Sequence, residues 1–469
     1  MPGYHVPMLP LDPPAEDMRS MGRTAVEYLI GFIEGLDDAP ANNAESGLEL
    51  ARRIAGPPGE LGDVGFDALM DTLDAAARRT FEFAGPGYLA YIPGGGLYTA
   101  AVGEFLAQGL NRYVGLWQPS PAMVQIEENV VRWLCDLFSL PPGSQGLLTT
   151  GGSMANFSAV VTARHDRLGE DFLDGTYYVS EQVHASITKA AKLAGFGAKN
   201  FRKLATDDQL RIDVDDLRRQ IREDRAAGMR PFLVVASAGT TNTGAIDPIA
   251  DIVGLAREEG LWVHADGAYG GFFQLTERGR ERFTGIDDAD SITLDPHKGL
   301  FLPYGTGALV VRDAEALRDA HHVGADYLQD LAPPGDLPNY AEYSPELSRE
   351  FRGLRVWMPL QLHGVAAFRE ALDEKLDLTA HLFEALQDIP EVEVPWAPQL
   401  TTVPFRLREA DDAANAAFLA RINAGRRVLL SSTMIHGRYT LRVCIVSHRT
   451  HRDRIDECIE AIRTAAREG

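Results

Sequence analysis

Asp290-Ser-Ile-Thr-Leu-Asp-Pro-His-Lys298 is the stretch on which the reading of this chain turns. Asp290 to Asp295 has the β-branched content of a short strand, and Pro296 closes it. Lys298 follows at once, and Gly299 opens the apolar run Leu300-Phe301-Leu302. A lysine facing apolar surroundings pays to stay charged, so its pKa should fall and its amine become nucleophilic. A Schiff-base lysine requires that. Taken alone, a lysine after a turn reads as a surface residue, because lysine is rarely buried. Its neighbours decide.

Working outward, strand, turn and helix alternate. Gly146–Thr150, Thr176–Ser180, Pro231–Ser237, Leu261–Asp266 and Ala308–Arg312 are short apolar runs bounded by turn formers. Helical patterns follow Gly151-Gly152-Ser153 (to Arg164), run from Ala185 to Ala194, and extend from Asp247-Pro248 to Glu259. Unalternated apolar strands divided by helices predict an α/β fold with a mostly parallel sheet covered on both faces. Such sheets bind ligands beyond the carboxyl ends of their strands.

Upstream, residues 1–90 read as a helical arm, with helices predicted over Met18–Leu36 and Gly65–Thr80 and little core of their own. Ser120-Pro121 has the form of an N-cap and first helical residue, and Met123, Ile126, Val130, Trp133 and Leu137 form the predicted inward stripe. The large unit spans residues 91–350 and ends in a proline-rich, acidic stretch near 322–350, read as a functional lid. Residues 351–469 form a smaller α+β unit, with strands near Glu391–Trp396, Thr401–Leu407 and Tyr439–Val446.

With 469 residues the chain exceeds one simple core. Its net charge of −22 argues against binding nucleic acid or anionic membrane. No bilayer-length apolar run or secretory leader is evident, and Cys135, Cys444 and Cys458 match no metal or disulfide framework. A cytoplasmic protein is expected.

Four strand ends could carry chemistry. Thr149-Thr-Gly-Gly-Ser-Met-Ala-Asn156 joins a strand to a helix start, where glycines and free N–H groups suit an anion such as phosphate. The same residues approximate the G-x-S-x-G elbow of serine hydrolases, with Ser153 as nucleophile. Asp266 ends an apolar strand and needs a cationic partner, for which a protonated heterocyclic nitrogen or a salt bridge would serve. His184 and Thr240-Thr241 reach the same rim by topology. Together these groups match the needs of pyridoxal phosphate: phosphate at a helix start, a carboxylate on the ring nitrogen, and a lysine for the aldehyde. A hydrolase would leave Lys298 unexplained.

Asp295-Pro-His-Lys298, His264-Ala-Asp-Gly-Ala268, Val183-His-Ala-Ser186 and Leu441-Arg-Val-Cys-Ile-Val-Ser447 resemble the group II pyridoxal-phosphate-dependent amino-acid decarboxylases, with the aromatic-L-amino-acid enzymes among them. The resemblance spans nearly the whole chain. It implies fold type I, with a seven-stranded-type sheet, and a homodimer whose N-terminal arm wraps its partner. By this similarity Lys298 would carry the cofactor, Asp266 would hold its ring nitrogen, Ala268 would pack beneath the ring and His184 would stack above. Ser153, Met154 and Ala155 would cradle the phosphate, with Asp295 nearby and Thr241 beside the ring. Tyr327 matches a lid tyrosine associated with protonating the carbanion. The implied reaction converts an L-amino acid to its amine and carbon dioxide, with aldehyde synthesis or transamination as alternatives on the same cofactor. A catalytically silent scaffold is opposed by the complete set of chemical residues. The sequence departs from the family at Gly299, where a bulky residue is common, and at Gly94, where the aromatic decarboxylases have threonine. Both changes are expected to reshape the substrate side.

Overall fold

The computed structural model describes residues 11–60, 62, 64–324 and 337–468. The apolar runs become a seven-stranded sheet: β1 (Gln145–Thr149), β2 (Gly175–Ser180), β3 (Phe201–Leu204), β4 (Arg230–Ser237), β5 (Trp262–Gly267), β6 (Ser291–Leu294) and β7 (Gly307–Val311). Their order is β1-β7-β6-β5-β4-β2-β3. Only β7 runs against its neighbours, pairing antiparallel with both β1 and β6. A β-hairpin-like return from β6 to β7 needs no helix crossover, whereas the parallel pairs do. The sheet is thus mostly parallel, as the unalternated strands predict, and β1, β2 and β4 to β7 are buried over most of their length.

The decisive strand is shorter than its sequence suggests. Asp290 stays outside β6 because its carboxylate accepts the Val263 N–H at 2.7 Å. Asp295 stands at the N-cap position of the single helical turn Pro296–Gly299, its carbonyl accepting the Lys298 and Gly299 N–H groups, so Lys298 sits on a helical turn rather than in a loop.

Helix α6 (Gly152–Leu168) follows β1 and packs across β7, β6 and β4, and α7 (Ala185–Leu193) packs on it. Helix α5 (Pro121–Leu137) begins at Ser120 by position, but the serine side chain makes no capping bond. Its fully buried residues are Val124, Glu127, Val130, Val131, Leu134 and Cys135, a stripe turned by about one residue from the predicted one. The cause is Glu127, whose buried carboxylate pairs with Arg349 at 2.7 Å. An ion pair is invisible to apolar periodicity.

A second, four-stranded antiparallel sheet has the order β10-β11-β9-β8, from β8 (Val392–Glu393), β9 (Thr402–Leu407), β10 (Ser431–Ile435) and β11 (Arg438–Cys444). It has its own core, with Phe405, Phe418, Val443 and Ile462, which Leu89 joins from the N-terminal segment. The arm helix α1 (Ala15–Glu34) buries none of its residues in the single chain.

Candidate active site

The carboxyl ends of β5 and β6, the turn after β1 and the start of α7 enclose a cavity of about 370 Å³. Its walls include Gly151 to Met154, Asn156, His184, Ser186, Ala268, Asp295, His297, Lys298 and Tyr304. Strand periodicity explains part of this gathering. His264 and Asp266 are two apart on β5 and so share a face, and they pair in register with Ser291 and Thr293 on β6.

Lys298 does not face an apolar wall, as the sequence suggests. Its Nζ lies 2.8 Å from Asp295 Oδ2, and His297 Nε2 lies 3.7 Å from the same oxygen. The other Asp295 oxygen is buried and unpartnered. His297 is fixed from behind by its Nδ1, which lies 2.6 Å from the Thr306 carbonyl. Burial holds the His297 pKa below the usual histidine range, with Asp295 opposing the shift.

Asp266 is buried and accepts from the Ala268 N–H at 3.1 Å and from Asn156 Nδ2 at 3.2 Å. His184 is the N-cap of α7, and its Nδ1 accepts the Ser186 N–H at 3.3 Å. Burial lowers its pKa, with Asp266 pulling the other way and Lys298 adding to the shift.

At the start of α6, Met154 and Ala155 donate their N–H groups to the Gly151 carbonyl. The first-turn amides of Gly152 and Ser153 are the ones that helix geometry leaves without an intrahelical acceptor. Ser153 is exposed at the cavity, whereas Ala155 is fully buried and serves the turn from inside. A Cβ on Gly152 would lie 2.9 Å from Asp295 Oδ2 and 3.1 Å from Ala268 Cβ, so only glycine keeps this cradle open. Size, the two amides and the lysine, with the buried Asp266 carboxylate behind the lining residues Asn156 and Ala268, together fit pyridoxal phosphate. Thr241 lies in the loop after β4, where its carbonyl accepts from Arg442, and it is not among the cavity-lining residues. Tyr327 lies outside the described residues.

Residues 81–408 match the family model described as the pyridoxal-dependent decarboxylase conserved domain. This chain is a pyridoxal-dependent decarboxylase. It is 33% identical to an aromatic-L-amino-acid decarboxylase of Bacillus atrophaeus, over 97% of this chain and 96% of that one. Among solved structures it resembles Oryza sativa TDC with PLP and tryptamine, at a TM-score of 0.92 and 25% identity, covering 98% of this chain and 99% of the other. It also resembles the 4-hydroxyphenylacetaldehyde synthase of Rhodiola rosea, at a TM-score of 0.90, 25% identity and the same coverage. The hydrolase reading of Ser153 is thereby set aside, and pyridoxal phosphate is the decarboxylase's cofactor.

Two expectations about the substrate side part company. A Cβ on Gly299 would lie 2.5 Å from Phe272 Cβ, so the missing side chain is replaced by a buried phenylalanine and not by substrate space. Gly94 is different. A Cβ there would lie 2.9 Å from the His297 carbonyl and 3.4 Å from the Tyr304 ring, two residues that line the cavity although Gly94 itself does not. Tyr304 stands 5.5 Å from the His297 ring and edge-on to Phe83, whose ring is tilted against that of Tyr88. Burial raises the Tyr304 phenol pKa. Arg449 secures the glycine loop of this decarboxylase, donating to the Gly95 and Gly96 carbonyls and to Ala84 O at 3.1 Å.

Sequence reasoning passed over Asn156, Ser186 and Tyr304 as site residues. Asn156 had a signal: it lies four residues after Gly152 on a helix, hence on the same face. Tyr304 had none, because it reaches the cavity only through the fold of Phe301–Gly305.

Proposed function

We propose that the protein decarboxylates an L-amino acid to the corresponding amine, with Lys298 as the residue that binds the cofactor's aldehyde covalently. The observation that carries this is the juxtaposition of Lys298 and Asp266 at the ends of adjacent strands, with His184 and the Gly152–Ser153 amides bounding the same cavity. When bound, pyridoxal phosphate supplies an electron sink conjugated to the substrate's α-carbon. Gly152 and Ser153 would hold its phosphate, and Met154 and Ala155 shape the turn that presents them. Asp266 would keep the ring nitrogen protonated, being held for this by Asn156 and Ala268. Ala268 and His184 would press on the two ring faces, and Thr241 is assigned beside the ring by family resemblance alone.

Asp295 holds the Lys298 ammonium in the free protein and would serve as its counter-charge when the substrate amine displaces it. After carbon dioxide leaves, Tyr327 or His184 would deliver a proton to the α-carbon. Tyr327 favours the amine product, since the aldehyde-forming relatives of the resemblance carry phenylalanine there. Aldehyde formation is the second reading, supported by the likeness to the Rhodiola rosea synthase. Tyr304, an aromatic ring in the cavity wall, favours substrates with aromatic side chains. A homodimer is part of the reading, supported by the exposed apolar residues of α1. So is a cytoplasmic setting, which three buried, unpaired cysteines suit.

The test is carbon dioxide release and product mass across a panel of L-amino acids, beside a Lys298→Ala variant. The expected result is amine with carbon dioxide, and loss of both turnover and visible cofactor absorbance in the variant. An unchanged spectrum in Lys298→Ala would refute the lysine's role, and aldehyde with ammonia would replace the first reaction by the second.

A further inference from the structure

Behind the cavity wall runs a chain of buried polar groups that the proposed chemistry leaves unexplained. Asp266 fixes its direction. An ionised carboxylate only accepts, so the atom of Asn156 at 3.2 Å must be the amide nitrogen. The Asn156 oxygen then faces His264 Nε2 at 3.0 Å, which must carry a proton. His264 is fully buried, and burial pushes its pKa down to about 4, so its ring is neutral and Nδ1 accepts. Ser291 Oγ donates to that Nδ1 at 2.8 Å and itself accepts from Trp262 Nε1 at 2.8 Å, a nitrogen that can only donate. Starting from Trp262 gives the same orientation. The two ends of the chain agree.

The other hydrogen of the Asn156 amide goes to Ser186 Oγ at 2.9 Å. The Ser186 N–H, 3.3 Å from His184 Nδ1, can only donate, so that nitrogen accepts and the Ser186 hydroxyl, 2.8 Å away, turns its own hydrogen to it as well. We propose that Asn156 is a positioning residue that locks Asp266 and His184 together and, through Ser186, fixes His184 as the neutral tautomer protonated on Nε2. His184 then meets the cavity as a proton donor and not as a base; giving up that proton breaks the Nε2–H bond, forms the C–H bond and leaves an imidazolate whose Nδ1 keeps the two Ser186 donors. This assigns it the second half of the reaction, delivery of a proton to carbon, and denies it the abstraction of one. The inference rests on the site proposed above, but the tautomer is a property of the cofactor-free protein.

The experiment follows the histidine ring carbons by NMR in cofactor-free protein labelled with 13C-histidine, the His184 signal being assigned by its loss in His184→Gln. The parent should show His184 in the single Nε2–H form. Ser186→Ala removes the hydroxyl link to His184, the shorter of its two, and leaves the backbone N–H and the Asp266 bond. It should shift that signal toward a tautomer mixture and lower kcat about tenfold with KM little changed, while cofactor affinity stays within about threefold. Ser186→Thr should restore the signal. Asn156→Asp removes both amide donors and sets a second carboxylate beside Asp266. Cofactor binding, followed by fluorescence as apoprotein is titrated with pyridoxal phosphate, should weaken about tenfold to a hundredfold. An Nδ1–H signal in the parent, or a His184 signal unmoved in Ser186→Ala, overturns the proposal even if Asn156→Asp fails to fold. A parent that binds no pyridoxal phosphate yet shows the expected tautomer overturns the functional reading and leaves the tautomer assignment standing.

Discussion

At the scale of single residues, Gly299 shows how a departure from a family pattern gains its meaning from packing. Read along the chain, a glycine beside the cofactor lysine suggests a widened substrate side. In the fold its missing Cβ points at Phe272, which is fully buried and stacks on Trp133 at 6.5 Å between ring centres. The space is filled, so restoring bulk should cost stability and not specificity. Gly299→Trp is expected to lower stability by about 1–3 kcal/mol through overpacking, seen as a lower Tm with the substrate ranking unchanged. Adding Phe272→Ala to Gly299→Trp should recover much of that loss, because contacting residues couple strongly in a double-mutant cycle. Additive losses in the double variant would show that the two residues do not compete for one volume. Gly94 lies beside Tyr304, with the His297 carbonyl 2.9 Å from where its Cβ would be, so a side chain there would press on residues that line the cavity.

At the scale of elements, α1 and the helix Phe66–Ala77 stand out among the described residues, since neither buries a residue in the single chain. Met18, Val26, Leu29 and Ile30 are each more than one-third exposed in the single chain, and on α4 (Tyr98–Leu110) Phe105 is 72% exposed. Scattered exposed leucines are ordinary, but a helix with no buried residue has no tertiary reason to be a helix alone. A second copy is the proposed cover. Val26→Glu with Leu29→Glu should convert a dimer to a monomer by light scattering, and a parent chain that already has the mass of one copy would rule the dimer out. Other elements divide by how their sequences announce themselves. The apolar strands β4 and β5 were legible because burial on both faces leaves no alternation to misread. β3 was not, since this edge strand has only Leu204 buried. β10 escaped because Ser431-Ser-Thr-Met-Ile435 is polar at its start and half-exposed. α8 (Val214–Ala226) is a run of charges with Leu217, Ile221 and Asp224 inside, and its clearest mark is the Asp213 cap on the N–H groups of residues 215 and 216. The site followed the same rule. Lys298, Asp266 and His184 were readable because they end strands or start helices, while Asn156 and Ser186 act through hydrogen bonds that only the assembled fold displays.

At the scale of the whole molecule, the parallel sheet buries two titratable groups whose demands on pH oppose each other. Asp247 accepts the N–H groups of Ser237 and Ile212 at 2.7 and 2.8 Å, yet its full burial pushes its pKa up to about 7, with Asp207 adding to the shift and Arg211 opposing it. His264, two strand positions from Asp266, is pushed down to about 4, again by burial. Between about pH 4 and about pH 7 the folded protein holds a proton on Asp247 that the unfolded chain has released, so this group's stabilising contribution is lost as pH rises. For His264 the signs reverse. The unfolded chain takes up a proton below about pH 6.5 and the folded protein does not, so its contribution is lost as pH falls toward about 4. Where the two windows overlap, the slopes cancel, each being about 1.4 kcal/mol per pH unit. Asp247→Asn removes one of them. The variant should be less stable overall, because an amide cannot accept from both backbone donors, but the shape of its curve is the informative quantity. Relative to the parent, its urea midpoint should climb more steeply from about pH 4 to about pH 6.5 and continue to gain on the parent up to about pH 7. A difference between the two curves that stays flat across this range would mean that Asp247 is ionised in the folded protein throughout, its two N–H donors having outweighed its burial.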